Sequence, residues 1–243
     1  MKKLISIFLM ALAASLGLSA KTLVAYYSYT NNVSRIVGEL AKQIKADVVR
    51  IEPAEKGLDY AANNYAIGSA QIAAIRNRPD DAASYPAIDP VGVNLDDYDT
   101  VIIGAPLWWS QMAAPMQTYL FHNGARMAGK NIGLIVSSAS SGISGVEADA
   151  RRLVPAGKFL SKSLWVRSSQ TSDASAMVAE WLKAVGYNQL ASIIDINADE
   201  APAATRIFSL AGTEYAADAD LPSGIYIVEM VRDNSRKAIK IKR

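Results

Sequence analysis

The chain contains no cysteine, which excludes disulfides, thiolate metal sites and a cysteine nucleophile, and suits an oxidising compartment. It has a single histidine, too few for a histidine-based metal site. Neither sign of charge predominates, since the chain has 25 Lys and Arg residues and 23 Asp and Glu residues. No basic run alternates with aromatic residues, so we expect no nucleic-acid partner.

Two nucleotide-binding signatures are missing as well. The chain lacks Gly-x-x-x-x-Gly-Lys, the loop that clamps a triphosphate and magnesium, and it lacks the Gly-x-Gly-x-x-Gly dinucleotide fingerprint. It also shows no Ser–His–Asp order and no paired carboxylates beside the polar loops described below. We therefore assign no catalytic residue and no metal ligand from the sequence.

The first 20 residues have the pattern of a secretory signal peptide. Lys2 and Lys3 form a positive start, and the apolar stretch 4–18 is too short for a comfortable membrane span. Ser19 and Ala20 supply the small residues before a cut that would leave Lys21 first. The sequence thus predicts a periplasmic or secreted protein with no stable membrane span after processing.

The stretch 22–33 organises the rest of the chain. Residues 22–27 are rich in strand formers, and Ser28–Asn32 all carry a hydroxyl or an amide. A helical period then begins at Val33. The first amides of a helix have no intrahelical partner and favour negative charge, so this strand–loop–helix unit predicts a cradle for one phosphate. The alternative is that the polar residues only cap the helix.

Strands and helices alternate after this unit, which is typical of an α/β, doubly wound parallel sheet. The pattern predicts four further strands and four further helices. The strands are expected at 47–51, 98–105, 131–137 and 157–167, and the helices at 60–76, 116–121, 146–153 and 174–186.

Two adjacent tryptophans follow the strand 98–105, within the segment 106–115 (PLWWSQMAAP). In an open α/β sheet, ligands bind beyond the carboxyl ends of the strands, so this segment should lie beside Ser28–Asn32. A flat ring system stacked on Trp108 or Trp109 would explain both features. Alternatively, the two indoles plug the end of the core.

At these residues the chain resembles the flavodoxins, whose Ser/Thr-rich loop binds the phosphate of FMN. The Pro106-Leu-Trp-Trp-Ser110 segment is similar to the Pro-hydrophobic-Trp-Trp-Gly loop of a bacterial flavodoxin-like family. The resemblance covers 21–187 and implies a five-stranded sheet of order 2-1-3-4-5 with FMN as cofactor. The cofactor-binding residues it implies are Ser28, Tyr29, Thr30, Asn31, Asn32, Val33, Pro106, Leu107, Trp108, Trp109, Ser110, Ser137, Ser138, Ser141 and Gly142.

Three departures from the family pattern matter for the site. Asn31 and Ser110 stand where the family has glycine, and the loop after Ser137 lacks the family's histidine and consecutive glycines. The resemblance implies that a peptide in the tryptophan loop turns over when the flavin is reduced, which glycine tolerates. Serine would raise the free energy of that change by roughly 1–2 kcal/mol, and asparagine would raise it by less.

The C-terminal part differs in character from the rest. Residues 188–205 read as a linker, and 206–243 predict a small β tail of three strands. The segment LPSGIYIV with a basic final strand resembles the end of sorting domains of the type IX secretion system. A sorting role would make the secretion machinery a partner. The alternative is a small β appendage that packs on the sheet domain or on a partner.

Together these features predict an exported flavodoxin-like protein that binds FMN and carries electrons to a redox partner protein or a small acceptor. Two other functions remain open. One is an FMN-dependent NAD(P)H quinone or flavin reductase, which export disfavours because soluble nicotinamide cofactor is not expected outside the cytoplasm. The other is a non-enzymatic envelope binding module on the same scaffold.

Overall fold

The computed structural model describes residues 21–187, 204–209, 211–216, 221–222, 225–232 and 235–242. These residues fall into two compact units, one within 21–187 and one within 204–242. The predicted signal peptide and most of the predicted linker lie outside the described residues. The predicted linker includes Thr205, but a strand already begins at Ala204, so its last two residues belong to the second unit.

The first unit is a mostly parallel sheet of seven strands, and its α/β doubly wound class and strand order are as predicted. Neighbouring strands follow the order β2-β1-β3-β5-β6, with β4 antiparallel to β3 and β7 parallel to β5. The strands are β1 (Thr22–Tyr26), β2 (Asp47–Arg50), β3 (Thr100–Trp108), β4 (Gln111–Met112), β5 (Asn131–Ser138), β6 (Lys158–Phe159) and β7 (Leu164–Arg167).

Five α-helices cover the two faces of this sheet, joined by loops that include short 3₁₀ turns. They are α1 (Asn32–Ala41), α2 (Ala62–Asn77), α3 (Ala114–Asn123), α4 (Ser144–Leu153) and α5 (Ala174–Ala184). The central strands are buried on both faces, as the Val-Ile-Ile run of β3 predicts. One core cluster lies on the face that contains Ile103 and Met116, and a second on the face that contains Ile102 and Trp181.

Three elements differ from the sequence prediction. β3 runs three residues further, to Trp108, because it folds back on β4 as a hairpin. The predicted strand 157–167 is divided into β6 and β7 along the same edge of β5. The start of α2 is not right-handed, since Asn63, Asn64 and Tyr65 all have left-handed backbone angles. Three successive non-glycine residues in that region carry backbone strain.

The second unit is an antiparallel sheet of order β11-β10-β8-β9, where the sequence predicts three strands. Its strands are β8 (Ala204–Ser209), β9 (Glu214–Tyr215), β10 (Ile225–Arg232) and β11 (Ser235–Lys242). Ile207, Leu221 and Tyr226 form its small core, and Arg206 makes two hydrogen bonds of 2.7 Å to the Glu214 carboxylate.

Among the residues that the structure describes, no helix is long and apolar enough to cross a membrane. The same residues contain no group of three or more His, Asp or Glu side chains arranged to hold a metal ion.

Candidate functional site

The loop between β1 and α1 has the geometry of an anion cradle. Asn31, at the residue before α1, has a φ of 63° and its side chain does not cap the helix. Ser28 is buried, and its Oγ accepts a hydrogen bond of 3.2 Å from the Ser34 amide. The side chains of Thr30 and Asn32 bond to each other at 3.3 Å. The first turn of α1 thus keeps backbone amides for an external anion, which fits a phosphate.

An arginine that the sequence analysis missed supports this loop from β2. Arg50 Nη2 donates a hydrogen bond of 3.0 Å to the Ser28 carbonyl, and Arg50 Nε lies 2.7 Å from Glu52 Oε1. The guanidinium therefore holds the backbone of a loop whose own residues are neutral, and Glu52 compensates its charge. Only the parallel pairing of β1 with β2, with Tyr26 opposite Arg50, brings this residue to the loop.

The phosphate loop also contacts the long segment between β2 and α2. Tyr29 O–H donates to Asp59 Oδ1 at 3.0 Å and accepts from the Ala61 amide at 3.1 Å. Hydrogen bonds from the Ala61 amide and from Tyr29 lower the pKa of Asp59 below its ordinary value. A cavity of about 150 Å³ opens here, lined by residues of both segments that include Ser28, Tyr29 and Tyr60. None of the predicted site residues within 106–110 and 137–142 lines it.

The tryptophan loop is the tip of the β3–β4 hairpin. Trp108 pairs with Gln111, which leaves Trp109 and Ser110 as a two-residue turn. Both have positive φ, 46° and 63°. A two-residue hairpin favours a turn with positive φ at both central residues, which is why Asn-Gly is common there. Ser110 therefore already has a left-handed backbone. The free-energy cost of its Cβ in this conformation falls on the structure described here, and not only on the state in which the flavin is reduced.

The two tryptophans have different surroundings. Trp108 packs against Tyr27 and Tyr60, at ring-centre distances of 5.6 Å and 4.7 Å, and so fills the end of the core as the alternative interpretation proposed. Burial raises the pKa of Tyr27, which keeps its hydroxyl neutral. Trp109 is 45% exposed. A Cβ on Gly68 would lie 2.9 Å from Trp109 Cζ3, so the bare backbone of α2 forms one wall of the indole's site.

The loop after β5 uses much of its polarity internally. Ser138 Oγ donates to the Ser141 carbonyl and accepts from Trp165 Nε1, each at 2.8 Å. Ser168 Oγ donates to the Ser138 carbonyl at 3.2 Å. The buried hydroxyl of Ser137 has no hydrogen-bond partner within the described part of the chain. The buried hydroxyl of Ser137 thus still needs a hydrogen-bond partner. The hydroxyl of Ser138 is already used to hold the loop in its conformation.

The predicted site residues lie at the carboxyl edge of β1, β3 and β5, which are adjacent parallel strands. Their exposure differs along each segment, and this decides which side chains a ligand could reach. Buried residues are Ser28, Val33, Ser137 and Ser138; partly buried ones are Tyr29, Asn32, Pro106, Leu107 and Trp108; exposed ones are Thr30, Asn31, Trp109, Ser110, Ser141 and Gly142. Val33 can offer only its amide, because its side chain belongs to the core.

The sequence analysis missed Arg50, Asp59, Tyr60, Trp165 and Ser168, which hold the three loops in place. No local sequence signal marks them, since each contributes through a partner at least 22 residues away, the shortest separation being that between Ser28 and Arg50. Gly68 had one signal, an isolated glycine within a helical pattern.

Comparison with known proteins gives a consistent result. A provisionally assigned flavoprotein of Bacteroides eggerthii is 26% identical, with a TM-score of 0.55 over 69% of this chain and 98% of its own. A similarly assigned protein of Bacteroides uniformis is 25% identical, with a TM-score of 0.53 over 68% and 99%. A flavoprotein of Lactobacillus acidophilus, solved in complex with FMN, is 20% identical, with a TM-score of 0.49 over 64% and 99%. The flavodoxin family model matches residues 21–185, more than half of the sequence, and the chain therefore belongs to the flavodoxin family.

Proposed function

We propose that this chain is an exported electron-transfer flavoprotein that binds FMN at the carboxyl edge of its sheet. The observation that carries the proposal is the start of α1, where the Asn31 side chain leaves the Asn32 and Val33 amides uncapped, at the same sheet edge as the exposed indole of Trp109. A phosphate site and an aromatic platform at one sheet edge match the two ends of FMN, and membership of the flavodoxin family supports the same cofactor.

Each group of residues would hold one part of the cofactor. The amides of Asn32 and Val33, with the polar side chains of Thr30 and Asn32, would bind the phosphate. Trp109 would stack on the ring, and the loop that begins at Ser137 would meet the ring's polar edge. FMN would supply the redox chemistry, whereas the protein binds it, orients it and sets its surroundings.

The absorption spectrum of purified protein is the first test. An oxidised flavin band that co-purifies, or appears when FMN is added, would support the proposal. Absence of flavin binding would favour the envelope binding module instead. Rapid mixing of the loaded protein with NADH or NADPH then separates a reductase, which is reduced directly within its turnover time, from a carrier, which is not.

The phosphate site is tested by comparing FMN with riboflavin, which lacks the phosphate. We expect the double variant Thr30→Ala, Asn32→Ala to weaken FMN by at least about a hundredfold, because each hydrogen bond to a charged group contributes roughly 1.5–3 kcal/mol. Riboflavin affinity should change little.

A matched control is Asn77→Ala with Ser161→Ala, which removes an exposed amide and an exposed hydroxyl elsewhere. It should bind both flavins as the wild type does. Equal losses of FMN and riboflavin in the loop variant would show that the loop does not hold the phosphate.

We also propose that the predicted signal peptide exports the chain to the periplasm or beyond, and that the C-terminal sheet serves as a sorting address for a type IX machinery. The segment that resembles such a signal covers β10 and β11. N-terminal sequencing of protein from the native envelope should begin at Lys21. A chain that ends at residue 203 should then stay in the periplasm; release to the same place as the full chain would make the tail an appendage.

A further inference from the structure

β4 has an unusual need for partners outside the sheet. It contains two residues, and its pairs with β3 alternate in hydrogen bonding as in any antiparallel ladder. Ala113 N–H donates to the Pro106 carbonyl at 3.1 Å, so Met112, one residue earlier, directs its N–H and C=O away from β3. Met112 is fully buried, and these two groups would be costly if left unpaired.

Two buried side chains bind the backbone of Met112 from opposite ends. Asp149 Oδ2, on α4, accepts a hydrogen bond of 2.9 Å from the Met112 amide. Gln117 Nε2, on α3, donates a hydrogen bond of 2.7 Å to the Met112 carbonyl. Asp149 is 5% exposed and Gln117 is fully buried, so water does not compete for either bond.

Arg152 connects the two side chains and compensates the buried charge. Its Nη2 donates to Asp149 Oδ1 at 3.1 Å and to Gln117 Oε1 at 2.8 Å, and its Nη1 donates to the Tyr85 hydroxyl at 3.0 Å. The carboxylate is therefore both paired and hydrogen-bonded, which is the condition under which a buried charge is tolerated. We call Asp149, Gln117 and Arg152 the Met112 clamp.

Gly145 fixes the other side of the hairpin tip. A Cβ on Gly145 would lie 1.8 Å from the Ser110 carbonyl oxygen, so only glycine allows α4 to approach the turn this closely. Asp149, Arg152 and Gly145 lie on α4, and Gln117 bonds Arg152 of the same helix. Gly145 approaches Ser110, one residue after Trp109, and Asp149 binds Met112, three residues after Trp109. The turn is thereby held mainly against α4, with Gln117 of α3 as a further contact, although its own two residues have strained backbones.

We propose that the Met112 clamp and Gly145 are positioning elements for the flavin ring: they hold the Trp109–Ser110 turn so that the Trp109 indole is set in place before the cofactor binds. This inference depends on the proposed function, because it assigns to the clamp the task of orienting the stacking residue. Asp149 acts through Met112 and the turn and does not contact the ring itself.

The test compares dissociation constants for FMN and riboflavin, measured by titration of flavin fluorescence on the full chain. We expect Asp149→Asn and Gly145→Ala to weaken both flavins by the same factor, up to about tenfold, which is the range of a ring-stacking contact. Glu147→Gln is the matched control: it removes a carboxylate charge from the same helix, where Glu147 bonds Ser163 and not β4. It should leave both constants unchanged.

A thermodynamic cycle separates positioning from general stability. In a Trp109→Leu background, Asp149→Asn should have no further effect on either flavin, because the residue it positions is gone. If Asp149→Asn does not fold, Gly145→Ala carries the same cycle. An undiminished effect in that background, or an effect on FMN alone, overturns the inference. A wild-type protein that binds neither flavin overturns the proposed function itself.

Discussion

The backbone of Ser110 gives a prediction that needs no cofactor. Its φ of 63° lies in the left-handed region, and its side chain is exposed at the hairpin tip. A residue with a Cβ costs roughly 1–2 kcal/mol in this region, and glycine avoids that cost. Replacement of Ser110 by glycine therefore relieves strain in the folded state and removes only an exposed side chain.

The expected gain is smaller than the strain, because glycine also raises the entropy of the unfolded chain. That penalty is about 0.4–1 kcal/mol. We expect Ser110→Gly to raise the free energy of unfolding by about 0.8 kcal/mol, the difference between the midpoints of the two ranges. Ser110→Ala keeps the Cβ and should leave stability nearly unchanged, whereas Ser110→Asn should gain a part of the benefit.

The assay is urea unfolding of the flavin-free protein, followed by tryptophan emission. Gly129→Ala provides a control of opposite sign, because Gly129 has a φ of 75° and an added Cβ there meets no atom within 4 Å. It should destabilise the protein by about the amount that Ser110→Gly gains. The strain argument fails if Ser110→Gly and Ser110→Ala give the same stability, or if Ser110→Gly destabilises the protein.

Three further predictions concern buried contacts. Burial raises the pKa of Tyr119 to about 12, so the folded protein keeps a proton on this residue that the unfolded chain loses above pH 10. Tyr119 should therefore lower the free energy of unfolding by about 1.4 kcal/mol per pH unit between pH 10 and 12, and Tyr119→Phe should reduce the slope in urea melts by that amount, while other buried tyrosines such as Tyr27 keep their own contributions. Gly68→Ala should displace the Trp109 indole, because the added Cβ would lie 2.9 Å from the ring, so tryptophan emission shifts and flavin affinity falls; unchanged spectra would contradict this close approach of α2 to the indole. Thr22 Oγ1 and the Tyr187 hydroxyl bond at 2.8 Å in a buried position, so Tyr187→Phe should cost about 1–2 kcal/mol in the same melts, and a neutral result would mean that this hydrogen bond adds no stability.

The order of the elements can be predicted from the amino-acid sequence alone. Alternating apolar runs of strand length and helical periods predict the doubly wound sheet, and the strand order that the flavodoxin resemblance implies is confirmed. The family that the chain resembles has glycine at the positions of Asn31 and Ser110, and both residues have a φ of 63°. These features are local or periodic, so they are encoded in the spacing of residues along the chain.

The construction of the candidate site, in contrast, depends on tertiary contacts. Trp108 and Trp109 are adjacent in sequence, but the end of a strand turns one indole into the core and the two-residue turn leaves the next exposed. Ser138 is as polar as Ser137 in the sequence, yet Trp165, 27 residues later, occupies its hydroxyl. Arg50 reaches the phosphate loop only through the register of β1 with β2. Such contacts depend on strand pairing and side-chain direction between distant segments, which no local pattern encodes.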